Sequence, residues 1–554
     1  MFATDNCHIL TTEGLGSSFT TFSDIQTIIA DGNGSQCGFC TPGWVMAVAG
    51  FLTSSEPKTA ENLEAYLDGN LCRCTGYRPI LESFRKLLPD PNKPANPPPG
   101  CTGSCSSCTA CDDHGDHASS NCGIGCGAGG CADIEDMILG VTSSITSSCC
   151  STRSSNPPPA PNSIPTPLAS LNTNSVLYNP TTYPQLLDTL SHVYKTTPPN
   201  GVSVISGNTG AGVSKYYNLT APYNRPLYPT VVISTAHVPS LTLISATPTS
   251  TTLSSGVTLA SLIAHFANHP YAPFAAFSRH VAHVANTQVR SAGTWAGNLH
   301  LASLYPDFPS DLYLSLLALD ATITYRTAPD LQLLANVPIH TFVTNPPLPV
   351  AFIDSVTLPM AHPATTARRF KLTQRARNAH AHVNFFGTTS PTHTRIAIGG
   401  VTSRVSLLPK TALSLQTGLP FPDILATFLA ELKSLTLNTN PSLLVSPAFL
   451  LKAASGCLLK YYASLPESLP RPLSSSTQAF TIDPDLLPVT APVPKIAARL
   501  QASGEAKYTH DHADAADPRS TGHAAFVFST KSADHVFTVR AKRARKERAY
   551  RIDE

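Results

Sequence analysis

Two close pairs of cysteines constrain this chain more than any other feature. Cys37-x2-Cys40 and Cys72-x-Cys74 are separated by 31 residues, and each pair is followed by residues that start helices. Thr41 is a good N-cap and Pro42 suits the first helical position; after Cys74 the same logic recurs in Thr75, Gly76 and Pro79. A helix N-terminus carries unsatisfied N–H groups and partial positive charge, which favours thiolates that leave net negative charge around a metal. Zinc and an iron–sulfur cluster both take four thiolates. Structural zinc pairs its cysteines about two to four residues apart, and Cys72-x-Cys74 is tighter; the plant-type ferredoxin spacing is also absent. The pattern favours a [2Fe-2S] cluster on Cys37, Cys40, Cys72 and Cys74, with zinc or four buried structural thiols as the other readings.

A chain of 554 residues holds several domains. Apolar residues are 42% and charged residues 13%, enough for real cores, while 49 prolines leave much of the rest as connection. The net charge of +2 gives no electrostatic case for nucleic acid or a membrane surface as partner. The longest apolar candidate, Val45 to Leu52, is too short to span a bilayer, and the first residues lack a basic-then-apolar signal pattern. Fifteen cysteines could suggest a secreted disulfide protein. Cluster ligands must instead stay reduced, which points to the cytoplasm, with the peroxisome as the other compartment.

Periodicity places four helices in residues 21–90. Phe22, Ile25, Ile28 and Ile29 precede the stop Asp31-Gly-Asn-Gly34; Pro42–Leu52, Thr59–Leu67 with Thr59 as cap, and Pro79–Leu88 follow. The two cysteine loops then meet at one end of a short bundle. Residues 91–170 read as a Pro-, Ser- and Cys-rich linker; Cys108-x2-Cys111 with His114 and His117 has ligand types at plausible spacing, but the composition is low-complexity. Beyond it, Ser175–Tyr178 reads as a strand, Pro184–Val193 as a helix, and Val202–Ser206 as a strand running into Gly207-Asn-Thr-Gly-Ala-Gly212. Such glycines let backbone N–H groups turn toward a phosphate, although a tight turn has the same composition. Cys457 falls in a helical apolar run, Ala448–Leu459, as a core thiol, and Arg540–Lys546 reads as a solvated basic tail.

Longer motifs resemble a known family. Gly34-Ser-Gln-Cys-Gly-Phe-Cys-Thr-Pro-Gly43 and Leu67-Asp-Gly-Asn-Leu-Cys-Arg-Cys-Thr-Gly-Tyr-Arg-Pro-Ile80 resemble the second [2Fe-2S] domain of the xanthine dehydrogenase and aldehyde oxidase family, the molybdenum hydroxylases. The resemblance implies a four-helix domain with the four cysteines as ligands and Gln36 on the molybdopterin side. Residues 207–212, Arg290–Leu299 and Pro309–Leu312 resemble the FAD-binding α+β domain of the vanillyl-alcohol-oxidase-like (PCMH) type. This implies FAD contacts at Val204, Ile205, Ser206, Gly207, Asn208, Thr209, Gly210, Ala211, Thr294, Gly297, Asn298, Asp311 and Ile353, with Asp307 as a rival to Asp311. Val284 stands where a Phe lies near FAD in animal members. Phe370-Lys371, Arg375–His380 and Ile396–Val401 resemble the small CO dehydrogenase flavoprotein-like C-terminal α+β domain, which adds Lys371 as an FAD contact; the loop from Gln374 to His380 lacks the acidic group of the NAD-using animal enzymes. Ala498–Tyr508 resembles the entry strand of the molybdenum-binding domain, with Glu505 structural. His8–Gly16 resembles the last strand and exit loop of a ferredoxin-like domain that holds a first cluster, with Cys7 structural.

The implied architecture is multidomain α+β. Residues 1–20 form a remnant of the ferredoxin-like domain, 21–90 the cluster domain, 91–170 the linker, 171–360 the FAD domain, 361–470 the flavoprotein C-terminal domain and 480–554 the opening of the molybdenum domain. The implied function is the iron–sulfur and FAD portion of an oxidoreductase that passes electrons from a molybdenum centre through [2Fe-2S] to FAD, then to NAD or O2. Molybdopterin belongs to a full-length parent or a partner, the molybdenum-site catalytic Glu is expected to lie beyond this chain, and the full-length form is expected to be a homodimer. A stand-alone FAD/[2Fe-2S] subunit docking a separate molybdenum subunit, and a non-catalytic Cys-rich metal-binding protein, are the alternatives.

Overall fold

The computed structural model describes residues 9–89, 164–165, 167–169, 175–198, 201–213, 230–345, 350–360, 362–375, 378–438, 445–464, 481–489, 491 and 493–512. Cys7, the cysteines and histidines of residues 101–131, and the basic run 540–546 lie outside them. Residues Met1–Gly504 form one compact unit and Glu505–Glu554 another.

The first part of the large unit is the expected bundle: α1 (Asp24–Asp31), α2 (Thr41–Thr53), α3 (Ala60–Leu67) and α4 (Arg78–Arg85). α1 begins with a reciprocal capping box between Ser23 and Gln26. Gln26 is fully buried, and its amide nitrogen also donates to the carbonyls of Thr12 (3.1 Å) and Gly16 (2.9 Å), fixing the segment before the bundle. Of that segment, read as a last strand and exit loop, the described residues 9–16 hold no strand and make a 3-10 turn, Thr12–Leu15, where Leu15 joins the bundle core. Trp44, Val45, Val48 and Phe51 of α2 meet Ile25, Ile29, Leu63, Leu67, Ile80 and Phe84 in the core. Thr59 caps α3 as expected, its hydroxyl accepting from Asn62 N at 3.2 Å.

Two helix starts differ from the sequence expectation. Cys40, not Thr41, is the N-cap of α2, with no side-chain cap bond; Thr41 Oγ1 pairs instead with Ser35 Oγ at 2.9 Å, so the hydroxyl is used to close the cysteine loop. α4 starts at Arg78 after Tyr77, whose φ of 71° turns the chain sharply out of the second cysteine loop.

The next part holds two sheets. β1 (Leu168–Ala169), β2 (Val176–Tyr178), β3 (Val202–Ile205) and β4 (Val231–Ser234) make a sheet of order β1-β2-β4-β3, in which β2 and β3 flank β4 in parallel. β1 pairs antiparallel with β2, so the sheet begins inside the stretch read as linker. Helix α5 (Tyr183–Thr196) connects β2 to β3 and buries Leu186, Leu190 and Val193 against Val231 and Ile233. An antiparallel sheet of order β5-β6-β9-β7-β8 follows, from β5 (Ile244–Ala246), β6 (Ser250–Ser254), β7 (Thr322–Thr327), β8 (Gln332–Pro338) and β9 (Val350–Pro359). Between β6 and β7 run α6 (Leu259–Phe266), α7 (Ala272–Val281), α8 (Thr287–Ala292), α9 (Trp295–Leu304) and α10 (Asp311–Ala318); α11 (Ile339–Thr344) follows β8. Every residue of α10 is buried, as expected for a helix apolar on all sides.

A third, four-stranded antiparallel sheet runs β10 (Thr366–Leu372), β11 (Val383–Thr389), β12 (Thr394–Gly399) and β13 (Ser406–Leu407), backed by α12 (Pro409–Gln416), α13 (Phe421–Ser434) and α14 (Pro447–Tyr462). Cys457 is buried in this core, as read from sequence, and burial pushes its thiol up to about 11. The last helix, α15 (Ala498–Ala502), replaces the expected entry strand. It packs on the bundle, with Ala502 in the bundle core and Arg499 paired to Asp31 at 3.3 Å, so its amphipathic turn answers to that core and not to a sheet. Among the described residues no helix is long and apolar enough to cross a membrane.

Candidate functional site

The bundle brings all four cysteines of the motif to one end, as two pairs. The side chains of Cys40 and Cys72 face one another, and so do those of Cys37 and Cys74. Each pair takes one thiol from each loop. Cys72 is buried, Cys40 half-buried, and Cys37 and Cys74 are exposed, so the centre has an inner and an outer edge. Burial, followed by weaker repulsion from Cys72 and Cys37, pushes the Cys40 thiol up to about 11. Cys72 is also subject to burial, but hydrogen bonds from the Thr75 side chain and backbone outweigh it and hold its thiol below the usual value. Thr75 Oγ1 lies 3.1 Å from Cys72 Sγ, and Tyr77 Oη accepts from Cys72 N at 3.2 Å. Among the described residues no group of three or more His, Cys, Asp or Glu side chains converges as on a single metal ion. Two thiols facing two thiols is instead the donor set of a two-iron cluster, two sulfur ligands to each iron. Gln36 is exposed beside this edge.

A second candidate site lies where β3 ends. Asn208 takes a left-handed conformation (φ 51°) and leads into a 3-10 turn, Thr209–Gly212. This loop presses against the α8–α9 connection with no room for side chains. A Cβ on Gly207 would lie 2.0 Å from the Ala292 carbonyl oxygen, one on Gly293 2.8 Å from Thr209 Oγ1, and one on Gly210 2.7 Å from Leu301. Thr294 caps α9, its hydroxyl accepting from Gly297 N at 3.2 Å. Asn208, Thr209, Ala211 and Gly297 are exposed and Asn298 is half-buried, so bare backbone beside the N-terminus of α9 faces outward. That surface fits the diphosphate of a dinucleotide: glycine cradle, free approach and a positive helix end.

The sequence-derived residues separate into two groups here. Val204, Ile205 and Ser206 lead into the loop from β3, and Gly207 to Ala211 form it, next to Thr294, Gly297 and Asn298. Ile353 lies in β9 and shares a core with Val284, Val213 and Leu301. Asp311 and Lys371, expected as separate cofactor contacts, are bound to each other. Lys371 Nζ donates to Asp311 Oδ2 at 2.9 Å and to the His283 carbonyl at 3.0 Å, with both side chains under a tenth exposed. Asn384 Nδ2 donates to the other oxygen, Oδ1, at 2.8 Å. Ser310 Oγ donates to Asn298 Oδ1 at 2.6 Å, joining this knot to the glycine loops. Asp307 sits half-exposed in the turn before α10.

Sequence reasoning missed Asn384 and His280. Asn384 is fully buried between Val383 and Phe385, and a lone amide inside an apolar strand was the available signal. His280 is fully buried on α7, with Nε2 3.7 Å from Asp311 Oδ1. Burial holds its imidazole well below the ordinary value, and the Arg369 and Lys371 cations push the same way, so it stands neutral beside the ion pair.

The bundle is seated on the flavin-side elements through the end of α3. Thr287 Oγ1 donates to Ala65 O (3.2 Å), Gln288 Nε2 to Tyr66 O (2.9 Å) and Asn378 Nδ2 to Asp68 O (2.6 Å). These are carbonyls that a helix terminus leaves open.

The glycine cradle gives a direct expectation. Gly207→Ala forces a Cβ onto the Ala292 carbonyl and should cost about 1–3 kcal/mol of strain, spreading the two loops. Flavin retained through gel filtration should fall severalfold, whereas Gly212→Ala, where an added Cβ meets nothing within 4 Å, should retain it. Equal flavin content in both variants would remove Gly207 from the cradle.

Comparison with known proteins identifies both regions. Residues 11–85 match the [2Fe-2S] binding domain family, and residues 172–361 match the family described as FAD binding domain in molybdopterin dehydrogenase. Xanthine dehydrogenase of Oryza sativa subsp. japonica is 28% identical over 98% of this chain and 42% of its own length. Indole-3-acetaldehyde oxidase of Arabidopsis thaliana is 25% identical over 95% of this chain and 39% of its own length. The chain thus spans about two fifths of these relatives, which are oxidoreductases. Among solved structures, quinoline 2-oxidoreductase from Pseudomonas putida 86 superposes with a TM-score of 0.42 at 18% identity, covering 52% of this chain and 96% of that one. The chain is a homologue of the xanthine dehydrogenases and aldehyde oxidases across most of its length, and it carries their [2Fe-2S]-binding and FAD-binding domains.

Proposed function

We propose that this chain is the iron–sulfur and flavin electron-transfer part of a molybdenum hydroxylase. The observation that carries the reading is the meeting of four thiols from two distant loops as the pairs Cys37/Cys74 and Cys40/Cys72. Each pair would hold one iron of a [2Fe-2S] cluster. Gly207 to Ala211, with Thr294, Gly297 and Asn298, would hold the FAD diphosphate, and the Asp311–Lys371 pair would border the flavin nucleotide. When bound, these groups supply one-electron relay and two-electron acceptance, carrying electrons from a molybdenum centre to NAD or O2. The protein's share is geometry: Cys37 and Cys74 keep an exposed edge beside Gln36 for the molybdopterin side, while Cys40 and Cys72 set the inner edge in an apolar core.

The domain reading follows the same lines: 21–90 as the cluster domain, 171–360 as the PCMH-type FAD domain, 361–470 as the CO dehydrogenase flavoprotein-like domain and 480–554 as the opening of a molybdenum-binding domain. The proposed partner is that domain or a separate molybdenum subunit, in a homodimer in the cytoplasm. The test is composition of the purified chain. About two irons and one flavin per chain, with the rhombic electron paramagnetic resonance (EPR) signal of a reduced [2Fe-2S] centre, support the reading. Zinc in place of iron with no flavin absorbance would replace it with a Cys-rich metal-binding protein.

A further inference from the structure

We infer that Gln501 is a positioning residue for the outer edge of the cluster, acting through the backbone of the first cysteine loop. The inference rests on the [2Fe-2S] reading above. Gln501 lies in α15, far from the loop in sequence, yet its side chain is the piece on which the loop is laid. Gln501 Nε2 donates to the Cys37 carbonyl at 2.9 Å. Its Oε1 accepts from Ser35 Oγ at 2.8 Å and from Lys495 Nζ at 3.2 Å. Lys495 Nζ also donates to the Gln36 carbonyl. Ser35 Oγ in turn meets Thr41 Oγ1 at 2.9 Å, so one amide braces residues 35, 36 and 37 directly or through one atom, and residue 41 through Ser35.

Three physical features make this a built arrangement. Gln501 is only 6% exposed, so its amide must find partners in the protein, and it has them on both ends. Its orientation is fixed, because the Cys37 carbonyl can only accept and the Lys495 ammonium can only donate. The loop also rests on the amide without a spacer: Gly38 has φ +82°, and a Cβ there would sit 2.2 Å from Gln501 Cδ. A glycine is therefore needed at this point both for the turn and for the close approach. Cys37 supplies an exposed thiol, the kind of ligand whose position depends most on its backbone. Removing the amide leaves the Cys37 carbonyl and the Ser35 hydroxyl without their partner and frees the loop that carries the outer ligand.

The test uses the full chain purified with its cluster. Gln501→Met keeps the volume and removes the hydrogen bonds; Gln501→Glu keeps an acceptor for Ser35 and Lys495 but cannot donate to Cys37. Arg499→Ala, on the helix that carries Gln501, breaks the exposed pair with Asp31 of α1 and leaves the amide in place. The expected result is iron loss to a chelator about tenfold faster in Gln501→Met than in wild type, with broadened EPR lines. Gln501→Glu should show a lowered reduction potential, because it adds a negative charge beside the centre. Arg499→Ala should match wild type. If Gln501→Met fails to fold, Gln501→Glu and Lys495→Met carry the same comparison by potential and line shape. Wild-type line shape, potential and iron-loss rate in the Gln501 variants overturn the inference while leaving the cluster assignment standing. A wild-type chain that binds no [2Fe-2S] cluster overturns both.

Discussion

A Cys72→Ser chain is expected to purify without its cluster and with a loosened bundle. Cys72 is the most buried of the four thiols and belongs to the apolar core with Trp44, Phe51 and Leu67. A serine oxygen is shorter, harder and costlier to ionise in that setting than a thiol, so it cannot take over the inner position. Loss of the metal also removes folding energy, since a centre joining loops 31 residues apart stabilises whatever they enclose. Iron should fall from about two per chain toward none, the visible charge-transfer bands should vanish, and the thermal midpoint followed by Trp44 fluorescence should drop. Cys457→Ser is the control: that thiol is also buried, but it sits in the core behind the third sheet, and its loss should leave iron unchanged. Wild-type iron and an unchanged EPR spectrum in Cys72→Ser would sink the ligand set.

The second large effect is expected at Asp311. Replacing it by alanine strands the Lys371 ammonium, whose side chain is 4% exposed, with the His283 carbonyl and no counter-charge. Breaking a buried pair from one side typically costs about 3–5 kcal/mol. The Asn384 amide loses its acceptor as well, and neutral His280 offers no compensation. A sharply lower unfolding midpoint and reduced flavin content are expected together, because Ser310, the neighbour of Asp311, holds Asn298 at the glycine loops. The double change Asp311→Leu with Lys371→Met should recover much of the stability but not the flavin, since apolar replacement of a buried pair is often neutral or better. A stability loss below about 1 kcal/mol for Asp311→Ala would mean that the pair is solvated.

The bundle was legible in the sequence because its signals are local. Helical spacing, the Thr59 cap and the stop at Asp31–Gly34 each act over a few residues, and the structure places helices where they point. The two cysteine pairs were legible for the same reason, and their long motifs carried the family resemblance. What was not legible depends on distant partners. Thr41 looks like a cap in sequence, but Ser35 claims its hydroxyl and the helix start shifts to Cys40. Ala498–Tyr508 carries a motif that resembles a strand, yet the nearest apolar surface is the bundle, and the segment winds into a helix to bury Ala502 there. Asp311 and Lys371 were each read as reaching for a cofactor; that they bind each other follows only from α10 packing against β11 and β12, next to which β10 carries Lys371.

The end of α3 has a further consequence. Its last carbonyls are finished by Thr287, Gln288 and Asn378, residues more than two hundred positions downstream. Asp68, one of the residues so held, stands four places before Cys72. The second cysteine loop therefore takes its starting point from the flavin-side segments, and the metal-binding end of the bundle is a shared structure completed by both halves of the chain.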